Sequence, residues 1–328
     1  MNLAEIKSFL GDDWKAVEAL IRSSLKSDIQ LLDVTNETIL SNGGKQLRPL
    51  VALLCARACS CGKVTADSFR FAAASELLHN ATLLHDDVAD NSSERRGHPS
   101  VMAVLGGPAS VLIGDFWLVR AMDNILGADN DATKVIRLFS KTLSDLAEGE
   151  MLQLQKAGIG DTDEEDYFKI IYSKTASLFE TAAVSAAISV EAPDEYVEAV
   201  RRYAVSLGLA FQIRDDMFDY SVSSEKIGKP VGIDLDEQKI TLPLLGALAS
   251  VSAEEGTGIR RKVCSIPEHP EYKKDIQSFV MDNGGLEYAR RKLNDYVEEA
   301  ISALSALPES EDRRWLAEVA GFTAVRNT

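Results

Sequence analysis

Six aspartates in two short runs have the types and spacing to hold metal ions on a polyanion. The first run closes the stretch LLHNATLLHDDVAD and carries Asp86, Asp87 and Asp90. Leu77, Leu78, Ala81, Leu84 and Val88 recur at helical spacing, which predicts a buried amphipathic helix. On a helix, residues i, i+1 and i+4 share one edge, so three carboxylates crowd together after an apolar run. They repel one another unless something positive lies between them. A hard divalent cation that takes oxygen ligands, Mg²⁺ above all, supplies that charge. A lone cluster of this kind is commonly just a solvated helix end. Here it recurs: FQIRDDMFDY at 211–220 places Asp215, Asp216 and Asp219 at the same spacing after the apolar stretch Val205–Ile213. Two such helices facing each other line a pocket suited to metal ions bridging to a diphosphate.

The rest of the chain must fold so as to bring the two runs together. At 328 residues it is long enough for a sizeable core. Lys plus Arg is 35 against 51 Asp plus Glu, a net charge of −16, which argues against nonspecific nucleic-acid binding. A diphosphate substrate would then need local Arg and Lys to overcome a repulsive background. The cysteines (Cys55, Cys59, Cys61 and Cys264) form no disulfide framework, and no histidine or fourth cysteine completes a zinc set around the first three. The N-terminal stretch has early acidic residues and no long apolar region, so a signal peptide is not expected, and no apolar run reaches the ~20 residues of a membrane span. The expectation is a soluble, cytoplasmic protein.

Strand alternation is nearly absent and Ala, Leu, Glu and Lys dominate, which predicts an all-α fold of about a dozen helices. Residues 1–42 read as two helices. After Gly43-Gly44-Lys45-Gln46-Leu47-Arg48-Pro49, helices are expected over 51–61, 66–90, 109–126, 131–156, 167–190 and 195–220. Asn91–Pro99 is a polar loop with Arg95 and Arg96 side by side, and 221–236 is a loop broken by Gly228, Pro230 and Gly232. The acidic runs need each other across 129 residues of sequence, which favours one large helical domain, residues 1–328, around a central cavity.

With both aspartate runs and the GGKQLRP stretch in view, the chain resembles the trans-isoprenyl diphosphate synthases, the polyprenyl synthetase family, from Gly43 to Arg326. LLHNATLLHDDVAD and the following ERRGHPSV are most similar to long-chain members that make quinone side chains. The resemblance implies head-to-tail condensation of isopentenyl diphosphate with an allylic diphosphate, releasing pyrophosphate. It implies Mg²⁺, about three ions per site with Mn²⁺ as a substitute, on Asp86, Asp87, Asp90, Asp215 and Asp219, with Asp216 holding the second cluster's geometry. Lys45, Arg48, His79 and Arg96 would grip isopentenyl diphosphate. Arg95, Lys174, Lys229 and Lys239 would contact the allylic diphosphate, with Thr175 and Gln212 near the reacting carbons. Gln238 stands where that family often has glycine. The resemblance also implies a homodimer.

The chemistry is coherent without the analogy. Metal ions and cationic donors stabilise charge developing on pyrophosphate as an allylic carbon–oxygen bond ionises. Two anionic substrates need separate basic clusters to hold them close. Taken alone, the residues have plainer readings: Lys45 and Arg48 as helix-start charges, His79 as a core histidine, Lys239 and Glu237 as a surface pair. Ala81 and Thr82, five and four residues before Asp86, leave no bulky floor for a growing tail, which predicts a product longer than farnesyl. The rivals are a farnesyl or geranylgeranyl diphosphate synthase, a class I terpene cyclase, which needs no isopentenyl site, and a helical scaffold that binds Ca²⁺.

Overall fold

The computed structural model describes residues 3–220 and 232–325, and these are almost entirely α-helical. The contacts divide the chain into two compact units. One comprises Met1–Ser140, Thr181–Arg201 and Ser305–Leu316; the other comprises Lys141–Glu180, Arg202–Leu304 and Ala317–Thr328.

The first unit begins with α1 (Leu3–Leu10), α2 (Asp12–Ser24) and α3 (Gln30–Ser41), three helices where the sequence suggests two. The extra break is at Gly11, whose φ of 55° ends one helix and starts the next. Then come α4 (Leu47–Cys59), α5 (Ala66–Ala89), the short α6 (Val101–Leu105) and α7 (Gly107–Leu126). Thr65 opens α5 with a capping box: its hydroxyl accepts from the Ser68 amide and the Ser68 side chain returns the bond.

On α5 the expected face is buried at Leu77, Leu78, Ala81 and Leu84, and over its upstream half the burial extends to every side. Phe71, Ala72, Ala73, Ala74, Leu77 and Leu78 are all fully buried, because the alanines let α2, α4 and α7 close on it from several directions. Asp67 near its start is satisfied by the backbone amides of Asp129 and Asn130, each at 3.1 Å.

The expected loop 91–99 contains the one piece of sheet among the described residues. Strands β1 (Glu94–Arg95) and β2 (His98–Pro99) pair antiparallel, Glu94 opposite Pro99 and Arg95 opposite His98. The two-residue turn between them, Arg96-Gly97, has φ values of 56° and 76°, the signs that match a hairpin's twist.

α8 (Ala132–Ile159) is followed by α9 (Glu164–Ile171), a π-helical turn (Tyr172–Ala176), α10 (Ser177–Ser189) and α11 (Asp194–Phe218). One helix expected over 167–190 is therefore two, joined by the π-turn. The second unit continues through α12 (Ile233–Asp236), α13 (Leu242–Leu248), α14 (Ala253–Cys264), α15 (Tyr272–Asp282) and α16 (Gly285–Ala303), and the chain ends in α17 (Glu311–Val325). Its core includes Tyr167, Ile213, Leu244, Ile276, Leu293 and Val297. No described helix is long and apolar enough to cross a membrane.

Candidate active site

Each acidic run sits at the C-terminal end of its helix: Asp86 and Asp87 in the last turn of α5 with Asp90 as its C-cap, and Asp215 and Asp216 in the last turn of α11 with Asp219 just past it. That end of a helix carries the negative pole of its dipole, so carboxylates there are disfavoured by ~0.3–1 kcal/mol each unless a cation is near. The two runs are built alike. In both, the middle carboxylate is buried, Asp87 at 3% and Asp216 at 5% exposure, while Asp86 and Asp215 are half-buried.

In the first unit, Arg95 satisfies Asp87. Its Nε donates to Asp87 Oδ1 at 2.8 Å and its Nη2 makes a second, shorter contact to the same oxygen. The hairpin turn explains the geometry, because it folds the chain leaving α5 back onto the helix end. Arg95, read as a diphosphate contact, is thus engaged with Asp87, read as a metal ligand. Arg96 follows in the turn and packs its guanidinium against Gly44, where a Cβ would lie 2.6 Å from the guanidinium carbon. Gln46, in left-handed conformation at the start of α4, accepts from Lys7 Nζ at 2.9 Å and stands between exposed Lys45 and half-buried Arg48. Burial, with Arg48, Arg96 and Arg95 nearby, pushes the His79 imidazole well below its usual range. Burial and Arg96 lower the Arg48 guanidinium to about 10, with Glu76 opposing. Lys45, Arg48, His79 and Arg96 are therefore all in this unit, and the last three act on one another as neighbouring charges or dipoles.

Ala81 is 1% exposed and Thr82 is half-buried, its hydroxyl donating to the His79 carbonyl at 2.9 Å. Asp115 of α7 lies 3.4 Å from His85 Nε2.

In the second unit, Lys174 and Thr175 occupy the π-turn. Two glycines make room for it: a Cβ on Gly149 would lie 2.6 Å from Ser173 Cβ, and one on Gly208 would lie 2.5 Å from Ala176 Cα. The extra residue in the turn re-aims the side chains it carries. Lys174 Nζ reaches Glu150 Oε1 at 2.6 Å and Gln153 Oε1 at 3.1 Å. A chain of hydrogen bonds then runs from Thr175 Oγ1 to Gln212 Oε1 (2.6 Å), from Gln212 Nε2 to Asp216 Oδ1 (2.8 Å), and from the Tyr167 hydroxyl to Asp216 Oδ2 (2.6 Å). Burial raises the Asp216 carboxyl to about 6, while its two donors pull the other way.

Asp219 accepts three backbone amides, from Gly232 at 2.8 Å and from Ile233 and Asp234 at 3.0 Å. It anchors the start of α12 and, through it, the segment bearing Asp234 and Lys239. Lys239 pairs with Glu237. Gln238 between them has a φ of 57° and donates through Nε2 to the Cys264 carbonyl at 2.7 Å. That left-handed backbone is one glycine adopts without cost, and here the side chain's own bond offsets the strain. Lys174, Gln212, Asp216, Asp234 and Lys239 line a cavity of about 160 Å³ with Tyr167 and Gln153. Lys229 lies outside the described residues.

Among the described residues no three His, Cys, Asp or Glu side chains are gathered closely enough to hold a metal ion. Asp87, Asp216 and Asp219 are each engaged by protein donors. The donor set still fits Mg²⁺, which keeps several waters and binds through one or two carboxylates plus substrate phosphates rather than an all-protein cage. Asp86, Asp90 and Asp215, half-buried or exposed, suit that role.

Sequence reasoning missed Glu76, Asn80, Tyr167 and Asp234 as members of these sites. Asn80 is four residues from Glu76 on α5, a spacing that signals a pair. Tyr167 carried no signal, since only the fold brings it to Asp216.

The polyprenyl synthetase family model matches residues 29–280. Over 327 residues the chain is 38% identical to octaprenyl diphosphate synthase of Escherichia coli (strain K12), covering all of both chains. Its fold is similar to that of a decaprenyl diphosphate synthase from Rhodobacter capsulatus, with a TM-score of 0.90, 32% identity and 100% of each chain covered. It is equally similar to a polyprenyl synthase from Caulobacter crescentus CB15 complexed with calcium and isoprenyl diphosphate: TM-score 0.90, 33% identity, 100% of this chain and 98% of that one. A match of this length, with the aspartate runs at the ends of two helices and a lysine–threonine π-turn beside the second, makes the chain a member of the polyprenyl synthetase family.

Proposed function

We propose that the chain condenses isopentenyl diphosphate with an allylic diphosphate, head to tail, and builds a long-chain polyprenyl diphosphate of the kind that supplies quinone side chains. The observation that carries this reading is the matched build of the two acidic helix ends. Each has a middle carboxylate fixed inward by a protein donor and a neighbour left partly exposed to a cationic ligand. Full-length identity to an octaprenyl diphosphate synthase supports the long product.

Asp86, Asp90 and Asp215 would hold Mg²⁺ on the allylic diphosphate, with Asp87, Asp216 and Asp219 orienting the helix ends and α12. When bound, the metal neutralises charge developing on the departing pyrophosphate. Lys174 and Lys239 donate to the same diphosphate, leaving Glu150 and Glu237 for it as the substrate arrives; Lys229 and Arg95 complete the set. Arg48, Arg96, Lys45 and His79 grip isopentenyl diphosphate, the arginines through forked donors suited to phosphate oxygens. The allylic carbon–oxygen bond breaks, the isopentenyl double bond forms the new carbon–carbon bond, and a proton leaves the coupled product for pyrophosphate. Thr175 and Gln212, tied to buried Asp216, present oxygens of fixed orientation to the developing cation. No protein nucleophile is required.

We read residues 1–328 as one catalytic domain, cytoplasmic and homodimeric. Leu112, Val119 and Leu126 support the dimer: they recur every seven residues on α7 and are 55–68% exposed. Sedimentation of the purified chain as a monomer would remove that part. The decisive test is incubation with isopentenyl diphosphate, farnesyl diphosphate and Mg²⁺, with measurement of pyrophosphate and sizing of the lipid. Absence of both products sinks the reading, and a product of farnesyl or geranylgeranyl length corrects the chain length alone.

A further inference from the structure

Among the charges that act on the cations of α4 and the hairpin is a carboxylate that the proposed chemistry does not use. Glu76 is 3% exposed and stands three residues before His79, on the same side of α5. Its Oε1 accepts from Asn80 Nδ2 at 3.1 Å, and the same amide nitrogen donates to the Glu76 carbonyl at 2.8 Å. This double contact fixes the side chain's direction. Its Oε2 is buried with no hydrogen-bond partner. Arg48, Arg96 and Lys7 all act on it as neighbouring positive charges, against a burial that pushes its carboxyl upward. For both arginines Glu76 is the foremost favourable charge, set against burial and a second arginine that disfavours each.

Arg48 is half-buried and Arg96 exposed; their like charges repel, and without a nearby anion the two guanidiniums would turn apart toward water. A guanidinium carries donors on more than one edge, so an anion behind it leaves its outer edge available to a second anion in front. Lys7 adds to the same frame. Its ammonium sits 4.4 Å from the Trp14 ring centre and bonds Gln46, the residue that starts α4 between Lys45 and Arg48.

We propose that Glu76 is the positioning residue of the isopentenyl diphosphate pocket, a built-in counter-anion that keeps Arg48 and Arg96 converged on the place the diphosphate will occupy. This rests on the assignment of those arginines to isopentenyl diphosphate made above. Glu76 touches no reacting atom. Its effect falls on capture of one substrate and not on ionisation of the other.

The test is steady-state kinetics of the full chain carrying Glu76→Gln, which keeps the shape and the Asn80 contact and removes the charge. Isopentenyl diphosphate and farnesyl diphosphate are varied separately at saturating Mg²⁺. KM for isopentenyl diphosphate should rise about tenfold, the scale of a weakened charge-assisted grip, while KM for farnesyl diphosphate stays within about twofold, as expected when one sub-site changes. Should that variant fail to fold, Asn80→Ala, which frees the carboxylate but keeps its charge, should show the same split to a smaller degree. An unchanged KM for isopentenyl diphosphate, or equal rises for both substrates, overturns the proposal. Wild-type chain that condenses nothing removes the functional reading and this inference together; wild-type turnover with no split in Glu76→Gln removes this inference alone.

Discussion

The Tyr167 hydroxyl donates to Oδ2 of Asp216 across 2.6 Å, and both residues are buried. The bond anchors a relay that passes through Gln212 to Thr175, so a tyrosine on α9 sets the direction of a hydroxyl in the π-turn. Tyr167→Phe leaves a buried carboxylate oxygen without its donor. The expected cost is ~1–3 kcal/mol of stability, read as a lower urea midpoint. A fall in kcat of roughly ten- to a hundredfold should accompany it, a part of the roughly hundred- to thousandfold that loss of a directly acting preorganised donor costs. Unaltered kcat in a destabilised variant would confine Tyr167 to packing.

The two kinds of carboxylate in each run should respond differently to metal. Chelation of divalent ions should abolish turnover, and Mg²⁺ should restore it. Asp86→Ala and Asp90→Ala should raise the Mg²⁺ concentration needed for half-maximal rate by roughly tenfold or more, because even the outer partners of metal ligands tune affinity by about that much. Asp87→Asn should leave the Mg²⁺ dependence close to wild type and lower the unfolding temperature, since Arg95 loses its charged acceptor. A large Mg²⁺ shift in Asp87→Asn would return that residue to the metal.

His79 yields a pH signature. Its imidazole is held well below the ordinary histidine range by burial and three arginines, so the folded chain keeps it neutral while the unfolded chain can protonate it. The unfolded state then binds more protons as pH falls below ~6.5, and stability present above that pH is lost on acidification. In His79→Gln that component should vanish. Unfolding midpoints of the two proteins, compared at about pH 7.5 and about pH 5.5, should converge on the acid side by up to ~1 kcal/mol per unit of pH. Parallel lines would mean that the imidazole titrates normally in the fold.

The legible part of this chain was local. Helical spacing places Asp86, Asp87 and Asp90 on one edge without reference to any other segment, and the same is true of Asp215, Asp216 and Asp219. Lys45 and Arg48 announced themselves beside a glycine turn. What a single stretch could not show is which carboxylates are already spoken for. Arg95 turns onto Asp87 because Arg96 and Gly97 take positive φ values, and Tyr167 meets Asp216 across 49 residues of sequence. The π-turn was equally hidden, because it is enabled by Gly149 and Gly208 on neighbouring helices and not by Tyr172–Ala176 themselves. The first break, at Gly11, was visible as a glycine but not as a left-handed one.

That π-turn can be tested directly. Gly208→Ala places a Cβ 2.5 Å from the Ala176 Cα, and backbone on that side cannot swing away as a flexible side chain would. Overpacking of this kind costs ~1–3 kcal/mol, and the displaced segment carries Lys174 and Thr175. Single-turnover rates should therefore fall while the Mg²⁺ dependence stays put. Wild-type rates in a folded Gly208→Ala chain would show that the turn tolerates movement.

Product length tests the stretch upstream of Asp86. Ala81 lies five residues before it on α5 and is 1% exposed, with its carbonyl oxygen 3.2 Å from where a Cβ on Gly114 of α7 would stand. A hydrocarbon tail growing from the metal end of α5 would pass a helix surface whose side chains at 81 and 82 are small. Ala81→Phe adds a ring of the volume of one or two isoprene units, so the tail meets a wall after few additions. The ring must also displace packed neighbours, at ~1–3 kcal/mol, so a lowered unfolding temperature is expected alongside. The informative measurement is the length distribution of the dephosphorylated lipids from wild type and variant at equal turnover. A shift to shorter chains supports growth along α5; an unchanged distribution from a folded, active variant means that the tail runs elsewhere.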